Sequence, residues 1–276
     1  MIGRSNGRSA VACAAYRAGD VLRDERLGQR HDYGPRRGIL RTAILAPEGA
    51  PAWALDREKL WNRAEAAEKR KDAQVAREIE LGLPHRVSPS LRTELVETFI
   101  REQLLPRGMI VDYAIHAPNR KGDERNFHAH LLTTTRSIEA AGFARLKDTE
   151  ACSREVIHDW REAWSEIQNR TFEHHQIRDA DGRILKVDHR SYEARGIDRE
   201  PSIHLGVHAN ALERSGQRSE RGDVNRAVEK LNELKELSRR AAELIREEER
   251  ATRAANDDRD DGTRHSVRDR GYGHDR

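Results

Sequence analysis

Two alternating segments in the middle of the chain constrain its fold more than any other feature. Residues 110–116 (IVDYAIH) and 127–134 (FHAHLLTT) place apolar and polar side chains in turn, a pattern typical of half-buried β-strands. Residues 117–126 between them are rich in turn formers, so the two strands are predicted to pair as an antiparallel hairpin. An antiparallel sheet is therefore the predicted centre of the fold.

Further segments predict another strand and several helices. Residues 78–83 (EIELGL) alternate strictly and meet Pro84, which predicts a strand. Apolar residues at helical spacing, with capping residues such as Ser9, Gly19 and Ser88, predict four helices. These helices cover residues 9–18, residues 57–74, a stretch that begins at Ser88-Pro89, and residues 155–172. The predicted fold class is α+β, with an antiparallel sheet flanked by helices.

The C-terminal part of the chain has a different character. Apolar residues recur every three or four positions after Gly222, which predicts a long amphipathic helix. After Arg250 the chain has little to bury and is predicted to be disordered. The predicted organisation is a compact domain over residues 1–220, an amphipathic helix over 221–250 and a disordered charged tail over 251–276. The helix would form a dimer, bind a partner or pack on its own domain.

Composition excludes several classes of protein. No apolar run among the 276 residues approaches the ~18–20 residues that span a membrane, and the start of the chain does not resemble a secretory signal. Two cysteines are too few for a disulfide framework. The sequence therefore predicts a soluble cytoplasmic protein with no membrane insertion.

Positive charge is concentrated near the N-terminus. The whole chain carries 51 basic and 48 acidic residues, whereas the first 42 residues hold nine arginines, four acidic residues and no lysine. Guanidinium groups match phosphate oxygens in a bidentate manner, so this composition indicates a surface for nucleic-acid phosphates. A solvated arginine-rich face is the alternative interpretation.

Three histidines are predicted to lie together on the hairpin. His128 and His130 are two residues apart in their strand, so their imidazoles share a face. His116 ends the preceding strand and lies beside them if the two strands pair. Three neutral imidazoles with open positions form the ligand set of a catalytic metal. A surface pair of histidines is the alternative, because the chain contains 13 histidines.

Two carboxylates and a tyrosine complete the candidate chemistry. Glu78 and Glu80 share one face of their strand, where they would orient an imidazole, take a proton or simply face solvent. Tyr16 ends a helix of small residues in the arginine-rich region, where a metal or an arginine can stabilise its phenolate. A core aromatic is the alternative interpretation of Tyr16.

Four ordered motifs resemble the relaxase domain of the MobA/MobL family of plasmid mobilisation proteins, which also begins TraA-type conjugative relaxases. The resemblance covers about residues 2–220. The motifs are GRSNGRSAV with AAYR in residues 3–17, AREIE in 76–80, AIH with FHAH in 114–130, and VDHRS, GI and HLG in 187–206.

The resemblance implies a relaxase fold of the histidine-hydrophobic-histidine (HUH) type. In such families a tyrosine attacks one phosphodiester of single-stranded DNA at the nic site of an origin of transfer. The product is a 5′-phosphotyrosyl link with a free 3′-hydroxyl, and the reverse reaction rejoins the strand. Single-stranded DNA, relaxosome accessory proteins and a coupling protein are the implied partners.

The resemblance also implies roles for individual residues. By position, the nucleophile is Tyr16, and the ligands of Mg²⁺ or Mn²⁺ are His116, His128 and His130. The favoured acidic helper is Glu78, with Glu80 as second choice. The contacts to DNA phosphates are Arg4, Arg8 and Arg17. His189 and His204 lie in family-like motifs, and neither receives a chemical role.

The sequence departs from the family pattern at its start. Family members usually carry a short strand-forming segment before the Gly-Arg-Ser stretch, whereas Met1 and Ile2 directly precede Gly3 here. An edge or internal strand is therefore expected to be missing, which would leave backbone groups unpaired and lower stability. The helicase or primase extensions of the family are also not in this sequence, so unwinding is expected to come from a partner.

Two other functions compete with the relaxase. One is a DNA-binding accessory protein or autorepressor that keeps the fold but does not cut. The other is a metal-dependent phosphodiester hydrolase, in which a bound water replaces Tyr16.

Overall fold

The structure, a computed structural model, describes residues 1–119 and 123–268. It contains two compact units, Met1–His189 and a second unit that begins at Arg190. The strands are β1 (Ile2–Gly3), β2 (Val21–Asp24), β3 (Gln29–Asp32), β4 (Ile39–Leu45), β5 (Gln74–Leu83), β6 (Val111–His116), β7 (Phe127–Thr134), β8 (Arg136–Glu139) and β9 (Gly142–Lys147). The α-helices are α1 (Ala10–Ala18), α2 (Arg57–Ala66), α3 (Pro89–Phe99), α4 (Arg154–His174), α5 (Gly206–Arg214) and α6 (Glu220–Arg268).

A five-stranded antiparallel sheet in the order β1-β5-β7-β6-β4 forms the centre of the first unit. β6 and β7 pair as their alternation predicts, with His116 opposite His128. On its other side β7 pairs with β5, which places Glu80 opposite His130. The hairpin loop includes residues 120–122, which lie outside the described residues. The predicted α+β class with an antiparallel sheet is confirmed.

Helices cover both faces of this sheet. On one face Tyr113 and Leu131 pack with residues of α3 and α4, among them the fully buried Phe99. On the opposite face Leu132 packs with α1 and α2, including the fully buried Trp61. Burial of a large apolar side chain contributes roughly 1.5–3 kcal/mol, so these two clusters fix the helices on the sheet.

The first helix lies close to the sheet because its buried residues, such as Ala14 and Ala15, are small. Ser9 caps α1 by accepting a hydrogen bond from the Ala12 backbone N–H at 3.3 Å. Gly19 ends α1 with φ +67°, and a Cβ at this position would lie 2.5 Å from Cδ1 of Ile39. Only glycine therefore fits there. The predicted helix with this cap and stop is confirmed.

The helix predicted over residues 57–74 is shorter in the structure. α2 ends at Ala66, and β5 begins at Gln74 rather than at residue 78. The Arg4 guanidinium donates hydrogen bonds to the carbonyl oxygens of Glu68 (3.1 Å) and Arg70 (3.0 Å), which holds the chain in a turn after α2. No glycine or proline in residues 67–73 marks this end in the sequence.

Several short strands were not predicted. β4 joins the main sheet beside β6, while β2 with β3 and β8 with β9 form separate two-stranded hairpins. β3 (QRHD) is wholly polar, and apolar and polar residues do not alternate strictly in β4 (ILRTAIL) or β9 (GFARLK), so the pattern that identifies a strand is missing. β1 consists of Ile2 and Gly3 at the edge of the main sheet, where it pairs with Gln74 and Ala76 of β5.

The second unit is built around α6. Asn232 exchanges two hydrogen bonds with the backbone of Glu200 (2.8 and 2.9 Å), and Lys235 pairs with Asp198. This helix therefore packs on its own unit, although Leu234 and Leu244 of its apolar seam are exposed. The sequence predicts disorder from residue 251, whereas the backbone is helical to Arg268. Ala251, Ala254 and Ala255 are strong helix formers at the start of this segment.

The predicted domain boundaries at residues 220 and 250 stay predictions. The first compact unit ends at His189, before the predicted boundary, and residues 269–276 of the predicted tail lie outside the described residues. Within the parts of the chain that the structure describes, no helix has both the length and the apolar character needed to cross a bilayer.

Candidate active site

The three predicted histidines form one cluster on the sheet face covered by α1. His116 is the last residue of β6, and His128 and His130 are near the start of β7. Their ring centroids are 5.0 to 5.5 Å apart, and one nitrogen from each ring lies within 4.8 Å of the other two. The predicted convergence of the three imidazoles is therefore observed.

Each imidazole of this His cluster (His116, His128 and His130) directs one nitrogen to an oxygen acceptor. His116 Nε2 donates to the Arg17 carbonyl at 2.8 Å, and His128 Nδ1 donates to the Asn126 carbonyl at 3.0 Å. His130 Nδ1 donates to Glu78 Oε1 at 2.9 Å. An oxygen that can only accept forces the facing nitrogen to carry the proton, so the other nitrogen of each ring keeps its lone pair.

Burial keeps His116 neutral. Burial is the main cause that lowers the pKa of His116 to about 4, and the neighbouring charges of His130, Arg36 and His128 lower this pKa further. The hydrogen bond to the Arg17 carbonyl acts in the opposite direction and raises the pKa. An imidazole with this pKa is unprotonated at neutral pH and can act as a metal ligand.

Glu78 links the His cluster to α1. Its Oε1 accepts hydrogen bonds from His130 and from the Arg17 guanidinium, with which it also forms an ion pair. Partial burial raises the pKa of Glu78, but the two hydrogen bonds and charges lower it to about 2, so the carboxylate is ionised. Such a weak base is suited to orienting its two partners rather than to taking a proton.

Glu80 shares the strand face of Glu78 but lies farther out. Its side chain is 60% exposed, and its Oε2 is 4.0 Å from His130 Nδ1. The sequence predicts that both carboxylates share one face, and the pairing of β5 with β7 makes this the histidine side. Of the two, Glu78 is the one that contacts the imidazole.

The His cluster fits a divalent cation. One nitrogen from each of its three rings converges, and a carboxylate and two carbonyl oxygens each accept a hydrogen bond from one ring. Three imidazoles suit a borderline transition ion better than Mg²⁺, which prefers oxygen ligands. Of the two predicted ions, Mn²⁺ therefore fits this donor set better.

Tyr16 is not a core aromatic, because its side chain is 47% exposed near the C-terminal end of α1. Its ring makes an edge contact with Tyr33, with centroids 5.2 Å apart. The next residue, Arg17, touches the His cluster through its carbonyl and Glu78 through its guanidinium. The phenol is thus accessible to a substrate and tied to the His cluster by the adjacent residue.

Arg36 is a site residue that the sequence analysis missed. Its guanidinium lies 3.6 Å from the centroid of the Tyr16 ring and donates to the Tyr16 carbonyl at 2.8 Å. The cation–π contact and the hydrogen bond together hold the Tyr16 ring and the end of α1. Its position among nine arginines gave no signal that distinguished it from the others.

The three arginines predicted to contact DNA have different surroundings. Arg4 is largely buried and binds Glu65 as well as backbone carbonyls, so its guanidinium supports the fold. Arg17 is committed to Glu78. Arg8 is exposed and precedes the cap of α1. Arg4 and Arg17 would have to break these contacts before they could bind a phosphate, whereas the exposed Arg8 side chain is accessible to one.

Comparison with known proteins identifies the family. A model of the MobA/MobL family matches residues 8–215. The chain belongs to this family. The resemblance drawn from the four motifs is thereby confirmed.

Relatives of this MobA/MobL chain include mobilization and conjugal transfer proteins. It is 35% identical to mobilization protein MobL of Acidithiobacillus ferridurans over 80% of the chain and 64% of the relative. It is 32% identical to probable mobilization protein MobA of Bifidobacterium longum, over 84% of the chain and 46% of the relative. It is 34% identical to conjugal transfer protein TraA of Rhizobium radiobacter, over 84% of the chain and 23% of the relative. The chain thus spans less than two thirds of the length of each of these relatives.

A solved structure shares the fold. It comes from work on the molecular basis of vancomycin resistance transfer in Staphylococcus aureus, and it is 33% identical with a TM-score of 0.61. The match covers 70% of this chain and 96% of the solved one. The α+β arrangement of this MobA/MobL chain is therefore shared with that protein.

Proposed function

We propose that this MobA/MobL protein is a relaxase that nicks single-stranded DNA at a plasmid origin of transfer and so starts conjugative transfer. The observation that carries the proposal is the pairing of an exposed tyrosine, Tyr16, with a helix end that is hydrogen-bonded to the His cluster. The names of its relatives as mobilization and conjugal transfer proteins support the biological setting.

In the proposed reaction Tyr16 Oη attacks the phosphorus of one phosphodiester. The Oη–P bond forms as the bond between phosphorus and the 3′-oxygen breaks, which leaves a 5′-phosphotyrosyl link. The phenol loses one proton and the 3′-oxygen gains one, so the products are the covalent adduct and a free 3′-hydroxyl. Because one ester replaces another, the same residues can rejoin the strand in reverse.

The chain's own residues prepare this step. Arg36 stacks on the Tyr16 ring, places a positive charge beside it and holds the end of α1 through the Tyr16 carbonyl. Glu78 keeps His130 in the tautomer that leaves Nε2 free to bind a metal. His116, His128 and His130 would hold Mn²⁺ or Mg²⁺, which supplies positive charge to the phosphoryl oxygens when bound.

Arg8, exposed before α1, is proposed to contact DNA phosphates. The proposed partners are single-stranded DNA at the origin, relaxosome accessory proteins and a coupling protein, and the proposed location is the cytoplasm. Base contacts, not phosphate contacts, would select the origin.

The test uses the protein, Tyr16→Phe and Tyr33→Phe with labelled single-stranded oligonucleotides that tile candidate origins, in Mn²⁺ or in EDTA. The expected result is a labelled protein band on denaturing gels that requires Mn²⁺ and disappears only in Tyr16→Phe. The matched control, Tyr33→Phe, removes the hydroxyl of the aromatic neighbour 5.2 Å away and keeps the adduct.

Other outcomes identify the competing functions. Cleavage without a labelled protein band would indicate the metal-dependent hydrolase. Binding without cleavage of a cognate origin would indicate the DNA-binding accessory protein or autorepressor. Loss of the labelled band in Tyr33→Phe, with the band retained in Tyr16→Phe, would identify Tyr33 as the nucleophile.

A further inference from the structure

One face of α4 carries a polar stripe that contacts the end of the first compact unit. The stripe consists of His158, Glu162, Ser165 and Asn169, which follow each other at intervals of four, three and four residues and so share a helix face. These polar side chains lie opposite the segment 187–189.

Hydrogen bonds hold this segment against the stripe. Asn169 Nδ2 donates to the Val187 carbonyl at 2.9 Å, and its Oδ1 accepts from the Val187 N–H at 2.8 Å. Such a reciprocal pair fixes the position of Val187 along α4. His189, two residues later, thereby lies beside His158 and Glu162, the two N-terminal residues of the stripe.

Three potential metal ligands converge at this point. One ligand atom from each of His158, Glu162 and His189 lies within 4.8 Å of the other two. The two imidazole rings have centroids 5.1 Å apart at an interplanar angle of 89°. In a tetrahedral zinc site, with each ligand at about 2.0–2.1 Å from the ion, the ligand atoms lie closer to one another than 4.8 Å. Small rotations of these surface side chains can bring the three atoms to that separation.

Ser165 sets the tautomer of His189. Its Oγ donates to the Glu162 carbonyl at 2.8 Å, so at 3.4 Å from His189 Nδ1 it acts as an acceptor. The Nδ1 proton then faces the hydroxyl, and Nε2 keeps the lone pair that a metal needs. The same kind of support holds the rings of the His cluster.

We infer that His158, Glu162 and His189 form a second metal site, separate from the His cluster, that binds Zn²⁺ or a similar borderline ion. Two imidazoles and one carboxylate are a zinc ligand set, and three protein ligands leave a fourth position for water. The Asp159 carboxylate, with Oδ1 4.0 Å from His158 Nδ1, is an acidic group beside this set and would add negative charge near the ion.

A bound ion would cross-link α4 to the last residue of the first unit. Without it, Val187 is held by Asn169, while His189 has a long contact with Ser165 at 3.4 Å and an edge contact with the His158 ring. The site would therefore stabilise the end of the unit, and it does not depend on the proposed nicking reaction.

The test is titration of the full chain with Zn²⁺, by calorimetry and by the visible absorption of Co²⁺. The chain should bind two equivalents with micromolar or tighter affinity. The double variant His128→Ala/His130→Ala, which lacks the His cluster, should bind one. His189→Ala in that background should bind none, while His174→Ala there should keep one, since His174 is an exposed histidine at the end of the same helix.

Glu162→Gln should weaken the retained equivalent at least tenfold. Zn²⁺ should also raise the melting temperature of the double variant, and this shift should vanish with His189→Ala. The inference is overturned if the double variant binds no Zn²⁺ in the micromolar range, or if His189→Ala leaves its binding unchanged. Neither outcome affects the nicking assay, so failure here is distinct from failure of the proposed function.

Discussion

Replacement of Glu78 by glutamine is the sharpest test of the metal arrangement, because the substitution keeps the shape of the side chain and removes its charge. Glu78 Oε1 accepts from both His130 and Arg17. The amide oxygen of glutamine can still accept from both donors, but it is neutral, so both hydrogen bonds become weaker and the largely buried Arg17 loses its ion pair. The group that orients the His130 ring is therefore held less firmly.

Loss of a partner that orients a ligand typically reduces metal affinity about 10–100-fold, or about 1.4–2.7 kcal/mol. We therefore expect Glu78→Gln to weaken Mn²⁺ binding by this factor in a calorimetric titration. Glu80→Gln is the matched control, since it alters a carboxylate on the same strand face that is 60% exposed and 4.0 Å from the same imidazole. It should change the affinity by less than about threefold, as expected for an exposed ion pair. Equal losses in the two variants would refute the assignment of Glu78 as the orienting group.

Two further predictions concern groups around the His cluster. Arg36→Ala removes the guanidinium stacked on the proposed nucleophile and should lower the nicking rate at least tenfold without changing Mn²⁺ affinity, whereas Arg37→Ala, which removes an exposed neighbour, should not. An unchanged rate in Arg36→Ala would exclude this role. In EDTA, the free energy of unfolding should fall with acid, because a His116 pKa of about 4 in the folded state, below its ordinary value of 6.5, makes the unfolded chain bind the proton first. Between pH 7 and pH 5 the protein should lose about 2 kcal/mol more of its free energy of unfolding than His116→Gln loses, as measured by urea unfolding. Parallel pH profiles of this free energy in the two proteins would contradict the prediction.

The sequence predicts those parts of the site that depend on local patterns. The alternation of β6 and β7 determines that the three histidines share a face, and the register follows once a short loop joins the strands. The alternation of β5 likewise predicts that Glu78 and Glu80 share a face, and the pairing of β5 with β7 in the structure makes it the histidine face. In each case the period of two of a strand is enough to predict the direction of a side chain.

The role of the N-terminal arginines could not be predicted in the same way, because their partners are far along the chain. Arg4 and Arg26 both bind Glu65, and Arg17 binds Glu78, 61 residues away. A local count of charges therefore exaggerates the surface that is open to phosphates. The end of α2 was missed for the same reason, since Arg4 stabilises the turn that follows it.

These long-range contacts couple the proposed nucleophile to the proposed metal ligands. The carbonyl of Arg17 fixes the tautomer of His116, and its guanidinium holds the carboxylate that fixes His130. The preceding residue is Tyr16, so a movement at the end of α1 would displace the phenol and release two of the three imidazoles together. Small buried side chains and the stop at Gly19 hold α1 in the one position where all these contacts form. The helix α1 therefore supports the proposed nucleophile and also helps to orient the proposed metal ligands.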